Sequence, residues 1–485
     1  MLFYMSLLNL LSDWTCYSVA PISLLAEEAF GNIDPERLVV VFLGANALGT
    51  ACEPIILARL GLRRTVLLGS LLLMIGSIVK SGGLPPIIPI SLDKGHSEWS
   101  LYVGFFIVGL SQPLYQCTPA LLSASWFPEE ERTMATGVAL NANQLGIGFA
   151  FIFGTLLVSK SDDIPAYFGL LSQISTLVFI GTLIQFDDAP PTPPSSSAKV
   201  VKGVNFKMSV IRSLHACMIR PGFSHALAAF TVSGIVINTL STYMDYLVRL
   251  NGAPRTYTGI VGGAFQFIIM ISSLIMGKQT DKTRAYYSVI IGMLVLGAFG
   301  LAECGVSLDS DRGGDLRWSL LLVAVLVGPL QPISTELGVE VAYPLSENTV
   351  LVIQQLFSNL LSAIFIPFFK SLKSIGTRSI SDDGDIITRP DFTFSFYLLI
   401  VIHTLVTVYF ATFSGKYLRY EHELQKKAEE DQLEAERDGD AEADETGHGG
   451  FVHPFHANNQ FSYYPPQQQQ QQPYDQERQP LMQNI

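Results

Sequence analysis

Apolar residues fall in runs of roughly 20 along this chain, the length one helix needs to cross a bilayer. The runs stand near 2–29, 37–60, 65–83, 99–125, 133–158, 164–185, 221–249, 256–277, 286–306, 316–342, 348–370 and 392–414. Period-two alternation is absent from them, and in lipid every backbone amide must bond within its own segment, so the pattern predicts helices and not barrel strands. It describes an all-α polytopic membrane protein of about twelve transmembrane helices. The stretch from Asp187 to Arg220 opens Asp-Asp-Ala-Pro-Pro-Thr-Pro-Pro-Ser-Ser-Ser and then turns basic, a composition that packs no core. It divides the chain into an N-terminal six-helix bundle over 1–186, a cytosolic linker over 187–220 and a C-terminal six-helix bundle over 221–414. Residues 415–485 pass from a charged helical run into Gly/Asp-rich and Gln-rich sequence and are expected to form a disordered, acidic cytosolic tail.

The two halves repeat. Phe127-Pro128, Glu131, Thr133 and Asn143 are answered by Tyr343-Pro344, Glu347, Thr349 and Asn359, each pair 216 residues apart. Each group joins two apolar runs, and duplicated apolar halves are the usual build of a transporter. Proline before a helix, an acid in its first turn and a capping threonine explain part of the echo. Asn143 and Asn359 lie about three turns into their helices, at roughly 1.5 Å per residue. A polar side chain at that depth is expected to face the bundle interior or a cavity.

Hydrophobic residues make up 49% of the 485 positions and charged residues 15%, against about 25% charged in soluble domains. The net charge is -12, but much of the acid sits in the tail between Glu429 and Glu445, so the balance says little about a solute, and no basic face points to nucleic acid. With both termini in the cytosol, Arg59, Arg63, Arg64, Lys199, Lys202, Lys207, Arg212, Arg220, Lys278, Lys282 and Arg284 all fall in cytosolic loops, as the positive-inside rule requires. The first run begins at Met1 with no basic leader and no small-residue cleavage site, so no removable signal peptide is expected. Cys16, Cys52, Cys117, Cys217 and Cys304 lack metal-ligand spacing and read as small core residues without a disulfide. The tail ends with Glu477, Leu481 and Met482 at the spacing of an acidic dileucine-type signal for a sorting adaptor, beside the plainer reading of an uninformative end. Plasma and endolysosomal or vacuolar membranes are both open destinations.

Polar groups inside the apolar runs are the candidate chemistry, because an unpaired charge at mid-membrane costs at least ~2.5 kcal/mol. Asp13 stands beside Trp14 and reads as a coupling group or counter-charge, or else as a cap near the surface. Asp245 has the same standing, with Arg249 one turn away as a structural partner. Glu336 and Glu340 share a helix face near the cytosolic end of the tenth run. A gate or bridge between bundles, with Arg132 or Arg284 as its cation, is favoured for them over substrate binding. Glu53 reads equally as a coupling site or a buried hydrogen-bond acceptor. Gln112, Gln116, Gln266 and Gln331 add polar lining, while His225 and His403 read as structural. No phosphate loop, His-Glu-x-x-His or nucleophile elbow occurs, so neither catalysis nor a metal or cofactor is expected.

At Trp126-Phe127-Pro128, Arg132-Thr133-Met134-Ala135-Thr136-Gly137 and Asn143-Gln144-Leu145-Gly146 the chain resembles the feline leukaemia virus subgroup C receptor-related transporters, within solute carrier family 49 of the major facilitator superfamily. Ser18-Val19-Ala20-Pro21, Gly61-Leu62-Arg63, Asp163-Ile164-Pro165 and Glu336-Leu337-Gly338-Val339-Glu340 extend the likeness through most of 1–414. The resemblance implies the major facilitator fold and a cytosolic latch. The first copy of the latch keeps Gly61, Leu62 and Arg63 but has Ala58 in place of the acid. The second copy keeps Gly277, Asp281 and Arg284, with Glu131 as a substitute carboxylate. It also implies a small solute such as choline, ethanolamine, haem or a vitamin B6-like compound. A quaternary ammonium needs an aromatic face. The family's cage Trp falls on Cys16, two residues from Trp14, its helix-7 Tyr near Ser241 and its helix-11 Gln on Asn359, whereas Gln144 matches directly.

The function that follows is transport of a small organic solute across the lipid bilayer by alternating access, with proton coupling an option. Trp14, Gln144, Asp245 and Asn359 are the expected substrate site, Asp13 the coupling or counter-charge, and Arg63, Glu131, Arg132, Gly277, Asp281, Arg284, Glu336 and Glu340 the gating set. The alternative is a non-transporting receptor or scaffold acting through the tail.

Overall fold

The computed structural model describes residues 1–30, 33–82, 98–191, 210–250, 256–308, 313–373, 376–382 and 385–422, with Pro254 and a few positions of the tail. Met1–Glu423 form one compact unit. Glu477, Leu481 and Met482, the sorting-signal positions, lie outside the described residues.

Nine helices among the described residues are long and apolar enough to cross a membrane. One of them, Pro35–Ser81, has 47 residues, about 70 Å at 1.5 Å per residue, or twice a bilayer core. Its backbone leaves the helical region at Gly61, with φ 75° and ψ 172°, which glycine reaches without a Cβ clash. Before that point, Phe42 and Gly49 meet Gly109 and Leu110; after it, Gly69 meets Ser111 and Tyr115 while Gly76 meets Gly104. The order of contact is reversed on the two sides, so the chain doubles back at Gly61 and makes spans 2 and 3.

Two more crossings are broken helices. Span 1 runs through Leu2–Cys16, a 3-10 turn at Tyr17–Ile22 and Ser23–Phe30. Span 4 runs through Glu98–Ser111, Pro113–Gln116 and Pro119–Trp126. Spans 5 to 9 are Glu129–Leu157, Ile164–Gln185, Phe223–Leu250, Thr256–Thr283 and Tyr286–Val306. Span 10 joins Gly313–Val327 to Leu330–Ala342, and spans 11 and 12 are Glu347–Lys373 and Thr393–Phe410. The twelve crossings coincide with the twelve apolar runs.

The breaks have a chemical cause. Proline has no N–H to give the preceding turn, so the helices of spans 4 and 10 are interrupted at Pro113, Pro119 and Pro329, and Pro21 lies inside the 3-10 turn of span 1. Nearby hydroxyls take over: Ser18 donates to the Thr15 carbonyl at 2.8 Å and Ser23 to that of Ala20 at 3.1 Å. Pro113 and Pro329 lie 216 residues apart, so spans 4 and 10 break at equivalent places. Interrupted helices at matching positions of two repeats are a pointer to a binding site.

Two elements depart from the expected pattern. Spans 11 and 12 are joined by an antiparallel hairpin, β1 (Gly376–Asp382) and β2 (Asp385–Asp391), paired from Gly376↔Asp391 to Asp382↔Asp385. The apolar runs leave this stretch as a connecting loop, yet Ile380, Ile386, Ile387 and Thr388 supply β-branched residues suited to strands. The end of the expected linker forms the helix Val210–Met218. It buries Ser213 and Cys217 while leaving Ile211 and Arg212 exposed, and it rests against the Pro35–Ser81 helix and spans 7 and 11.

Candidate functional site

The central feature is a chain of buried amides ending on a carboxylate. Asn359 of span 11 donates to Asn46 Oδ1 of span 2 at 2.7 Å, and Asn46 Nδ2 donates to Gln112 Oε1 of span 4 at 2.6 Å. Gln112 Nε2 then donates to Asp13 Oδ1 at 2.9 Å and to Ser12 Oγ at 3.1 Å in span 1. Thr50 adds a bond to Asn46 Oδ1 at 3.1 Å. Asp13, Gln112, Asn46 and Asn359 are all buried. Gln112 sits at the Pro113 break, where the chain leaves the regular helix. Every amide turns its NH₂ toward Asp13, the arrangement an acceptor-only carboxylate imposes.

At one end of the molecule the halves are clamped together. Lys370 of span 11 pairs with Asp34 at 2.8 Å and also with Glu36, whose side chain is 2% exposed. Tyr17 donates to Asn238 Oδ1 at 2.9 Å, Ser23 to Asp245 Oδ2 at 3.1 Å, and Tyr246 to Glu27 Oε1. Asp245 is fully buried and also accepts from Thr258 at 3.0 Å. It therefore belongs to this clamp.

Toward the other end, the close glycine contacts between spans 5 and 8 lapse. Where they touch, a Cβ on Gly259 or Gly262 would strike Thr155 or Phe151, one on Gly263 would strike Ile152, and one on Gly148 would lie 3.6 Å from Gln266. Farther along, Gly137 and Gly277 have no atom within 4 Å of such a Cβ. Gln144 lies one turn beyond Gly148 on the stripe 137, 141, 144, 148, 151, 155 that faces span 8. Its amide oxygen is buried without a hydrogen-bond partner, as is that of Asn143. Gln144 thus follows the last of these close contacts between spans 5 and 8 and carries an unused acceptor.

The sequence profile described as the Major Facilitator Superfamily matches residues 2–367. The chain belongs to the major facilitator superfamily. Among relatives of this superfamily member, Solute carrier family 49 member A3 of Xenopus tropicalis is 24% identical over 328 residues, 67% of this chain and 66% of that protein. The human Choline/ethanolamine transporter FLVCR2 is 24% identical over 307 residues, covering 60% of this chain and 56% of its own length. These matches span less than two thirds of either relative's length. The D-xylose-proton symporter superposes with a TM-score of 0.65 at 13% identity, over 86% of this chain and 98% of that one. A bacterial homologue of the human lysosomal transporter Spinster, in an inward-facing and unoccupied conformation, gives 0.61 at 14%, over 84% and 95%. At such identities the likeness concerns the fold alone.

In this facilitator Arg63 and Arg284 each pair with an acid of their own half. Arg63 pairs with Asp187 at 3.4 Å and its backbone N–H donates to Asp188 at 2.6 Å. Arg284 pairs with Glu340 at 3.1 Å, and Glu340 also accepts from the backbone of Tyr420 at 3.1 Å. The Arg284–Glu340 pair lies inside the C-terminal half and bridges no bundles in this state. Arg132 donates to the Phe127 carbonyl at 3.2 Å, Glu131 is exposed, Glu336 is half-buried, and the Asp281 side chain lies outside the described residues.

The aromatic residues nearest the positions of the implied cage, Trp14 in span 1 and Tyr243 two residues past Ser241 in span 7, are taken up by packing. Trp14 stacks on Phe153 at 5.1 Å, meets Phe149 edge-on at 5.6 Å and donates to Tyr167 at 2.8 Å. Tyr243 is buried against Phe369 and Phe392 and donates to the Ile366 carbonyl at 3.1 Å. Ser241 accepts from Gln266 at 2.8 Å. Sequence reasoning did not single out Asn46, Lys80 or Lys370, although each is a polar residue inside an apolar run. Lys80 is fully buried, 4.3 Å from the Phe168 ring centroid, and donates to Ser18 at 3.0 Å at the break in span 1.

Proposed function

We propose that this protein carries a small polar or cationic organic solute across the membrane by rocking its two halves about the amide chain. The observation that carries the reading is the Asn359–Asn46 bond. It joins the halves at mid-depth, at 2.7 Å, between a clamped end and one where the close contacts of spans 5 and 8 lapse. With the orientation expected from the basic loops, the Lys370 end faces outside and the other end opens to the cytosol. Gln144 offers an unpartnered acceptor just past the last of those contacts, suited to an N–H or O–H of a solute. Asp13, reached through Gln112, supplies the counter-charge for a cation. Choline and ethanolamine are the first solutes to try, because they are named for the FLVCR2 relatives of human and rat.

The test is uptake of labelled choline and ethanolamine by cells displaying the chain, with Asn46→Ala, Asn359→Ala and Gln144→Ala alongside. Uptake lost in the variants at normal surface delivery supports the site. Unchanged uptake in Gln144→Ala and Asn359→Ala removes it.

A further inference from the structure

Span 2 carries three buried polar side chains, Asn46, Thr50 and Glu53, spaced i, i+4, i+7 and hence on one face. Asn46 and Thr50 are engaged in the amide chain. Glu53 lies about 10 Å farther along the axis, toward the Arg63 end. It is 0% exposed, and neither carboxylate oxygen has a hydrogen-bond partner. A titratable neighbour is the Cys117 thiol of span 4, at the second break of that helix. Among the described residues it forms no ion pair with a Lys, Arg or His of span 2, span 4 or span 11.

A carboxylate sealed from water with neither donor nor counter-charge is strongly disfavoured, and such a group takes up a proton instead. Span 11, from the other half, leans on span 2 and on the Pro119–Trp126 segment of span 4. The packing around Glu53 therefore depends on how the halves meet. We propose that Glu53 is a proton-binding site, neutral in the state seen here, which exchanges its proton with water when the cytosolic opening at the Arg63 end widens and span 11 moves off span 2 there. The step is a plain ionisation in which the carboxyl O–H breaks, the proton passes to water and a hydrated carboxylate remains. This rests on the alternating-access reading and assigns the proton to Glu53 in place of Asp13, which holds a hydrogen bond from Gln112.

The experiment uses the full chain in lipid nanodiscs. Infrared difference spectra of wild type against Glu53→Gln at neutral pH are expected to show a protonated-carboxyl C=O stretch lost in the variant, and to show it displaced in Glu53→Asp. Spin labels at the exposed positions Arg59 and Ser346 are expected to move apart in wild type as pH rises and to keep the short distance in Glu53→Gln. Identical carboxyl spectra would overturn the proton site, and an equal pH response in both chains would overturn its link to span 11. Neither readout uses a solute, so a failure of the choline reading is seen separately.

Discussion

Asn359 in span 11 and Asn46 in span 2 meet at 2.7 Å, and Asn46 hands the same chain of bonds on to Gln112 and Asp13. One amide in each half thus carries the polar contact across the middle of the molecule. The two partners are not equivalent, because Asn46 bonds Gln112, Thr50 and Asn359 while Asn359 sits at the end of the chain. Removing one partner of a buried bond leaves a desolvated group and costs about 1–3 kcal/mol. Asn46→Ala is expected to lower the melting temperature in detergent more than Asn359→Ala. Equal shifts would count against the ordering of the chain described here.

The Lys370 clamp predicts a change of state. Glu36 is buried beside Lys370, and stripping a buried carboxylate of its cation costs about 3–5 kcal/mol. Lys370→Met is therefore expected to open this end. Spin labels at the exposed Trp99 and Trp318, which lie at the Lys370 end of the two halves, should move farther apart in the variant. An unchanged distance distribution would show that the other cross-half bonds suffice.

Glycines give a paired test of helix contact. A Cβ at Gly146 would stand 2.1 Å from the Leu10 carbonyl oxygen, whereas one at Gly137 would meet nothing within 4 Å. Overpacking of this kind costs typically 1–3 kcal/mol, and alanine in an open helical position gains up to about 1 kcal/mol over glycine. Gly146→Ala is expected to melt well below wild type and Gly137→Ala at or above it.

Arg284 combines a left-handed backbone, φ 54°, with the ion pair to Glu340. Any non-glycine residue there carries roughly 1–2 kcal/mol of backbone penalty. Both Arg284→Ala and Arg284→Gly lose the pair and should be destabilised. The glycine variant should be the less affected of the two, the reverse of their usual order in a helix. Thermal melts of the two purified variants decide it.

Much of the architecture was legible because bilayer-length apolar runs admit few solutions. The twelve runs mark the twelve crossings, and the 216-residue echo marks the duplication. The helix breaks were less visible. Pro113 and Pro329 obey the same 216-residue spacing, but an internal proline by itself reads only as a local kink. The hairpin at 376–391 is a short polar loop by composition, and strand pairing depends on the partner segment.

Depth in the apolar run points Asp13 and Asn359 toward the bundle interior, where both are buried, while Gln144 is half-buried. It could not say that Asp245 would accept from Ser23 in the clamp, that Trp14 would be packed between Phe149 and Phe153, or that Arg284 would pair inside its own half. Asn46 was overlooked altogether. Its importance comes from bonding Gln112 and Asn359, which lie 66 and 313 residues away along the chain.

The sequence by itself determined the class of fold, since a run of about 20 apolar residues in lipid must satisfy its own backbone and so must be a helix. It also determined the twofold repeat and the depth of each polar residue, which follow from counting along a helix of known rise. Only the tertiary structure decided which polar groups meet, which end is clamped and that Glu53 is sealed without a partner. A buried polar side chain is defined energetically by what bonds it, and those bonds join spans from both halves of the chain.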